Sequence, residues 1–295
     1  MYNKTSLIQK KVDQRILYFK MESEQLSGSF KIRGISKEMA LYPEKSNFVM
    51  ASGGNAGLAL ATIAQRLEKK ATIVVPETTG FGMRNLIMQT GAKLIVFGNK
   101  WTEADQFARD WSQNNDSIYM HPFEGEKLEL GHASIVHELK EQMSEPDLIA
   151  LSVGGGGLFS GIARGLNELG WTKTRILCME TEGAATMFHS WREGKKITLQ
   201  EINTIASSLG ASTLSDSAWR WSQMVNMKAA TCTDTEALES SRLFYEEMAV
   251  PTEAACGACL SAYYFHQHLW EDAQHIVFIV CGGSNFNLKD LQKRL

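Results

Sequence analysis

The chain has 295 residues, of which 44% are hydrophobic and 21% charged, and its formal net charge is −3. This length and composition allow a large buried core and exceed what one small domain needs. The weak negative charge and the short basic runs, such as Lys69-Lys70, argue against nucleic acid as a partner.

The cysteines and the N-terminal segment indicate the compartment. Five cysteines, an odd number without a framework of spacings, are typical of reduced thiols in the cytosol. Residues 1–20 are polar and lack the apolar core of a signal peptide. No run reaches the roughly 18 apolar residues that a membrane span needs. We therefore expect a cytoplasmic protein with no membrane partner.

Hydrophobic periodicity predicts strands and helices that alternate along the chain. In chain order these are a strand at 47–50, a helix at 58–70, a strand at 71–76, a helix at 83–90, a strand at 92–97, a helix at 102–114, strands at 117–121 and 148–153, helices at 158–169 and 254–269, and a strand at 275–280. Such alternation predicts an α/β protein with parallel sheets flanked by helices.

A lysine among small residues, Lys31, lies in residues 27–34 just before a predicted helix. An amine becomes a nucleophile toward a carbonyl when its surroundings lower its pKa, and small neighbours leave room for a flat cofactor. The alternative is a solvated lysine at a helix start, where Ser or Gly only caps the helix. Lys31 is therefore a candidate covalent catalyst.

Three glycine-rich loops, at residues 52–57, 154–157 and 281–285, each follow a predicted strand. Consecutive glycines before a helix expose backbone N–H groups, which predicts a site for phosphate or carboxylate. The alternative is a flexible turn. Neither GxGxxG nor GxxxxGK[ST] describes the run at 154–157, so dinucleotide and P-loop sites lose their specific support.

Taken in order, Lys31 and the three loops resemble the serine/threonine dehydratase family of fold-type-II pyridoxal-phosphate enzymes, and most of all its catabolic L-serine dehydratases. The matching stretches are 20–23, 27–34, 52–57, 131–134, 154–158, 179–181, 209–210, 255–258 and 280–285. The resemblance implies a tryptophan synthase β-like fold, with two open parallel-sheet domains and the cofactor between them. It predicts a large domain from 1–22 and 125–295 that binds pyridoxal 5′-phosphate (PLP), and a small substrate-closing domain from 23–124.

The resemblance also implies a role for each site residue. Lys31 would hold PLP as a Schiff base and later take the α-proton of the substrate. The implied cofactor contacts are Phe30 and Ser208 on the two ring faces, Asn55 at the phenolic oxygen, Cys281 at the pyridine nitrogen, and Gly154, Gly155, Gly156, Gly157 and Leu158 at the phosphate. The implied substrate contacts are Ser52, Gly53, Gly54, Asn55 and Ala56.

Glu180 and Ala184 match positions that, in similar proteins, contribute to a site for a monovalent cation such as K⁺. The alternative for Glu180 is an ordinary solvated carboxylate. Similar proteins also lead us to expect a homodimer.

The activity implied by the resemblance is β-elimination from hydroxyamino acids. L-serine would give pyruvate and ammonia, and L-threonine would give 2-oxobutyrate and ammonia. A neutral Cys281 at the ring nitrogen favours prompt loss of the β-substituent. The alternatives are a serine racemase, which carries a serine at the position of Gly53, a cysteine-synthase-like β-replacement enzyme, and a small-molecule-binding protein with a degenerate site.

The remaining cysteine and histidine patterns carry less information. Cys256 and Cys259 have CxxC spacing inside a predicted helix, and without a second pair we interpret them as packing residues rather than zinc ligands. His132 and His137 are expected to be capping or surface residues, although the resemblance places residues 131–134 close to the site.

Overall fold

The computed structural model describes residues 1–285, which form two sheets surrounded by helices. The strands are β1 (Leu7–Val12), β2 (Arg15–Lys20), β3 (Asn47–Ala51), β4 (Lys70–Val75), β5 (Lys93–Val96), β6 (Ile118–Tyr119), β7 (Leu148–Ser152), β8 (Arg175–Thr181), β9 (Met227–Cys232) and β10 (His275–Ile279). The helices are α1 (Lys31–Met39), α2 (Asn55–Arg66), α3 (Phe81–Gln89), α4 (Trp101–Asn114), α5 (Glu126–Gln142), α6 (Gly157–Leu169), α7 (Thr186–Glu193), α8 (Asp216–Ser222), α9 (Asp234–Met248) and α10 (Ala254–Tyr264).

The six-stranded sheet has the order β1-β2-β10-β7-β8-β9, and the four-stranded sheet has the order β5-β4-β3-β6. Every pairing is parallel except that of β1 with β2. The exception arises because a two-residue turn, with Asp13 in the left-handed region at φ 53°, joins these strands as a hairpin. The predicted α/β class with two largely parallel sheets is confirmed.

Strands in the middle of the large sheet are apolar along their whole length. All five residues of β7 are buried, as are the last four of β10, because helices cover both faces of a parallel sheet. One apolar core surrounds this sheet, and two further apolar clusters cover the faces of the small sheet. Within residues 1–285, no helix is long and apolar enough to span a membrane.

The predicted domain division can be compared with sheet membership. Strands β1 and β2 join β7–β10 in the large sheet, although β3–β6 separate them in the chain, and β3–β6 alone form the small sheet. The boundaries at 22/23 and 124/125 stay predictions. Residues 286–295 of the predicted large domain lie outside the described residues.

Two predicted helix boundaries were wrong. Helix α2 covers 55–66 rather than 58–70, because Glu68 adopts a left-handed φ of 55° and Lys70 already belongs to β4. Helix α10 ends at Tyr264 rather than at 269. Beyond it the chain turns back, so that the indole of Trp270 donates to the carbonyl of Ala262 at 2.7 Å.

A buried ionic network attaches α1 to the large sheet. The fully buried guanidinium of Arg33 donates to Glu22 at 2.6 Å and to Glu138 at 2.7 Å. Lys20, also fully buried, donates to Glu138 at 2.7 Å. Burial alone would raise the pKa of Glu138, but Arg33 and Lys20 hold it below its ordinary value. The network therefore joins β2, α1 and α5 through compensated charges.

Removal of Arg33 should destabilise the fold, because it leaves the buried carboxylate of Glu22 without a cation and that of Glu138 with Lys20 alone. We expect Arg33→Met to lower the free energy of unfolding by about 3–5 kcal/mol at neutral pH. The matched control is Arg175→Met, since the bidentate Arg175–Asp272 pair is exposed at the surface and should contribute less than about 1 kcal/mol. Urea unfolding of both variants measures the difference.

Equal losses of unfolding free energy for the two variants would contradict this account.

The depressed pKa of Glu138 also makes the stability depend on pH. A carboxylate with a lowered folded-state pKa contributes stability at neutral pH that is lost as the pH falls through the acid range. The difference between wild type and Arg33→Met should therefore shrink on acidification.

Candidate active site

A pocket lies where β3, β7 and β10 end, at the carboxyl edges of the two sheets, which is the usual ligand position in open parallel sheets. It is lined by Phe30, Lys31, Asn55, Phe123, Ser152, Gly154, Gly155, Gly156, Gly157, Leu158, Ser208, Leu209, Glu253, Ala255, Cys281 and Gly282. Residues that follow strands of the large sheet and of the small sheet therefore line one cavity.

Main-chain bonds place Lys31 beside the loop that follows β10. Ser29 pairs with Gly282 in an antiparallel bridge, and the amide of Phe30 donates to the carbonyl of Cys281 at 3.3 Å. The left-handed φ of Gly28 (72°) allows its carbonyl to accept from the amide of Gly283 at 2.8 Å. Lys31, the first residue of α1, is thereby fixed next to Cys281.

The amine of Lys31 is held inside the pocket. Its Nζ donates to the carbonyl of Pro122 at 3.0 Å and lies 5.2 Å from the ring centroid of Phe30. Burial lowers the pKa of Lys31 to about 8, against the opposing effect of Cys281 and Glu253. An appreciable fraction is therefore neutral near physiological pH, which is the form that attacks a carbonyl or accepts a proton.

The glycine run lies at the N-terminus of α6 and leaves no room for side chains. A methyl group on Gly154 would lie 3.0 Å from the Cα of Leu209, and one on Gly157 would lie 2.8 Å from the carbonyl oxygen of Phe123. Gly156 has φ 88°, and a methyl group there would collide with Ala218. The run is thus a main-chain cradle whose N–H groups suit a phosphate.

The first residue of α2, Asn55, contributes to the pocket. Ser52, Gly53, Gly54 and Ala56 flank Asn55 in the chain without being among the lining residues. Any side chain at Gly53 would collide with Thr79, whose Cγ2 would lie 2.7 Å from its Cβ. Their amides nevertheless occupy the N-terminus of α2, where a carboxylate is favoured.

Cys281 and Ser208 lie in the pocket with Phe30. Contact with the Cys256 thiol and burial raise the pKa of Cys281 well above its ordinary value, so the thiol is neutral. Ser208 comes from a short 3₁₀ turn, Ser207–Leu209, and is exposed to the pocket. Their roles toward a cofactor stay predictions.

Glu180 and Ala184 lie outside the pocket lining. The fully buried carboxylate of Glu180 accepts from the amides of Met187 at 2.8 Å and Phe188 at 2.7 Å, and so caps the first turn of α7. Burial raises the pKa of Glu180 to about 8 in spite of these bonds. Within residues 1–285, no three His, Cys, Asp or Glu side chains are grouped to hold a metal ion.

His132 was wrongly predicted to be a capping or surface residue. It is buried, its ring centroid lies 4.9 Å from that of Phe30, and burial lowers its pKa well below the ordinary value. The reason is the close approach of α1 and α5, where a methyl group on Gly131 would lie 2.5 Å from the Cα of Gly34. His137 is exposed and pairs with Glu168 at 3.0 Å.

Sequence reasoning missed Glu253 and Phe123. Glu253 immediately precedes α10 and is buried in the pocket, and its isolation before an otherwise apolar segment is a signal that could have found it. Phe123 contacts the glycine cradle, but the sequence around it carries no comparable signal. Cys256 and Cys259 are fully buried free thiols in α10.

The fold and the pocket together define an enzyme-like site, with a lysine of lowered pKa and a main-chain glycine cradle between two largely parallel sheets. The chain belongs to the family described as pyridoxal-phosphate dependent enzymes, which residues 3–282 match.

Individual relatives are similar to this chain over nearly its whole length. The L-serine dehydratase/L-threonine deaminase of Homo sapiens is 39% identical over 288 residues, covering 94% of this chain and 88% of that protein. The L-serine ammonia-lyase of Rhizomucor miehei superposes with a TM-score of 0.91 at 31% identity, covering 99% and 97% of the two chains. Maize serine racemase superposes with a TM-score of 0.91 at 26% identity, covering 99% and 92%.

The residues present fit pyridoxal 5′-phosphate. The amine of Lys31 suits the aldehyde. The glycine cradle suits the phosphate, because neighbouring atoms leave no room for side chains there and its main-chain N–H groups stay free of them. Phe30 supplies an apolar ring face, and the neutral Cys281 thiol suits an unprotonated ring nitrogen. The donor set therefore matches the cofactor of the family.

Gly156 and Gly170 offer a matched test of the cradle, because both have positive φ and they flank the same helix, α6. Gly156→Ala should weaken PLP binding by about tenfold, as loss of one charge-assisted hydrogen bond would. Gly170→Ala meets open space, so it should cost only the left-handed strain of roughly 1–2 kcal/mol in stability and leave binding unchanged. Equilibrium titration with PLP and urea unfolding measure both effects; equal PLP affinities would contradict the cradle.

Proposed function

We propose that this chain is a PLP-dependent L-serine/L-threonine ammonia-lyase. It converts L-serine to pyruvate and ammonia, and L-threonine to 2-oxobutyrate and ammonia. The observation that carries the proposal is one pocket that brings together the Lys31 amine, with its pKa lowered to about 8, the glycine cradle and a neutral Cys281. The names of the human and fungal relatives support the same reaction.

The chain's own residues account for binding and proton transfer. Bound PLP supplies the electron sink that makes the substrate α-proton removable. The N-terminus of α6 holds the phosphate, and the N-terminus of α2, with Asn55 and its flanking amides, receives the substrate carboxylate. Neutral Lys31 takes the α-proton on Nζ, and the carbonyl of Pro122 stabilises the ammonium that forms.

Two observations favour elimination over racemisation. A racemase needs a second proton donor on the face opposite its base, and Gly53 has no side chain to supply one. Ser208 is engaged in a hydrogen bond with Glu253. Serine racemisation is therefore at most a side reaction, in contrast to the named activity of the maize protein.

We also propose the finer features that accompany this activity. The enzyme works in the cytoplasm as a homodimer, without nucleic acid or membrane partners. Residues 23–124 close over the substrate, which excludes water from the reacting groups.

A monovalent cation, K⁺ by preference, binds beside Glu180 with main-chain oxygens such as that of Ala184. Replacing KCl with tetramethylammonium chloride at equal ionic strength should lower wild-type activity. Glu180→Gln should lose this difference, because an amide, unlike the carboxyl group of Glu180, cannot ionise beside a bound cation. Equal rates of wild type in the two salts would mean that Glu180 serves only as the cap of α7.

The central test measures keto-acid formation from L-serine and from L-threonine. The wild type should form pyruvate and 2-oxobutyrate, and Lys31→Ala should lose about 10³-fold in rate because its base is gone. The control is Lys140→Ala, which removes an exposed lysine on α5 and should leave the rate unchanged.

Other products distinguish the alternatives. D-serine without keto acid would establish a racemase, and consumption of an added thiol would establish β-replacement. A colourless wild-type protein that gains no visible absorbance with PLP would overturn the proposed function altogether.

A further inference from the structure

A buried carboxylate in the pocket, Glu253, has no part in the mechanism above. It is 4% exposed, lines the cavity with Lys31 and Cys281, and belongs to the segment just before α10. Burial raises the pKa of Glu253, and hydrogen bonds from its neighbours oppose that effect. Burying a carboxylate costs free energy of desolvation, which its hydrogen-bond partners must offset.

Three donors converge on this side chain. Asn55 Nδ2 donates to Oε1 at 2.7 Å, the main-chain amide of Asn285 donates to Oε2 at 3.2 Å, and the hydroxyl of Ser208 also forms a hydrogen bond with it. Gly283, at φ 120°, packs so closely that a methyl group there would collide with the carboxylate. The surroundings therefore require a group that only accepts hydrogen bonds. A glutamine would turn an NH₂ toward one of the donors.

These contacts fix the orientation of the Asn55 amide. Its Oδ1 accepts from the amide of Ser284 at 3.0 Å, and one Nδ2 hydrogen is used by Glu253. The second Nδ2 hydrogen has only a long contact, 3.4 Å, with Ser208 Oγ. One N–H of Asn55 is thus available to an acceptor inside the pocket, while its carbonyl oxygen is not.

We propose that Glu253 is a positioning residue that holds the Asn55 amide with an N–H, rather than its C=O, toward the phenolic oxygen of the cofactor. The inference rests on the proposed function, because it takes PLP as the occupant of this pocket. Without the carboxylate, the amide is free to rotate by half a turn. It then directs a carbonyl dipole at an oxygen that carries negative charge, and binding weakens.

A double-mutant cycle on cofactor binding tests the inference. The proteins are wild type, Glu253→Gln, Asn55→Ala and the double variant, each titrated with PLP and followed by the absorption spectrum of the bound cofactor. Glu253→Gln should weaken binding by about tenfold and change the spectrum when Asn55 is present. In the Asn55→Ala background, the same substitution should change the affinity less than about twofold.

A structural role would behave differently. If Glu253 only fastened the loop at 281–285, Glu253→Gln would weaken binding equally in both Asn55 backgrounds, and that result overturns the inference. An affinity and a spectrum unchanged by Glu253→Gln overturn it as well, while leaving the proposed function intact. A wild type that binds no PLP overturns both. If the Gln variant fails to fold, Glu253→Asp replaces it, with a smaller loss expected in the same Asn55-dependent pattern.

The matched control is Glu129→Gln. Glu129 is as buried as Glu253, at 5% exposed, and accepts from the indole of Trp221 at 3.1 Å and from Arg164 at 3.2 Å, outside the pocket lining. Its substitution should lower the unfolding free energy of the cofactor-free protein and leave the PLP affinity and spectrum unchanged. A change in affinity equal to that of Glu253→Gln would trace the effect to general destabilisation and so overturn the inference.

Discussion

The position of Lys31 in the site depends on the ion pairs of one buried cation, Arg33. Arg33 lies two residues from Lys31 on α1, and its guanidinium is satisfied by Glu22 beyond β2 and Glu138 on α5. Each of these charges would be costly in the interior alone, so the three segments have to meet in one arrangement. That arrangement directs the start of α1, and with it the Lys31 amine, toward the large sheet.

The pocket itself is built largely from main chain. Amides at the N-termini of α2 and α6 face it, while glycines keep side chains away from the cradle. Of the polar side chains assigned to the cofactor, the Cys281 thiol is neutral, and the Lys31 amine, with its pKa lowered to about 8, is neutral in part. Apart from the Glu253 carboxylate, negative charge therefore enters this site with its ligands, and oriented main-chain dipoles receive it at no cost of reorganisation.

Local signals in the sequence were enough to predict the α/β class, and they made Lys31 a candidate catalyst and the glycine run a candidate anion site. A lysine among small residues and a glycine run after an apolar strand each have a local physical cause. Glu253 and His132 were missed or misplaced because their importance comes from contacts between distant segments. Asn55 meets Glu253 across 198 positions, and His132 is buried only because α5 packs closely against α1.

The position of β2 has a consequence for synthesis on the ribosome. This strand leaves the exit tunnel early, yet its parallel neighbour is β10, with Ile16 opposite His275. Until β10 emerges, β2 exposes an unpaired edge next to its hairpin partner, and the loop carrying Cys281 does not yet exist. Closure of the long loop between β2 and β10 must precede completion of the large sheet, so maturation of the nascent enzyme is a non-local event during which an unpaired strand edge stays exposed.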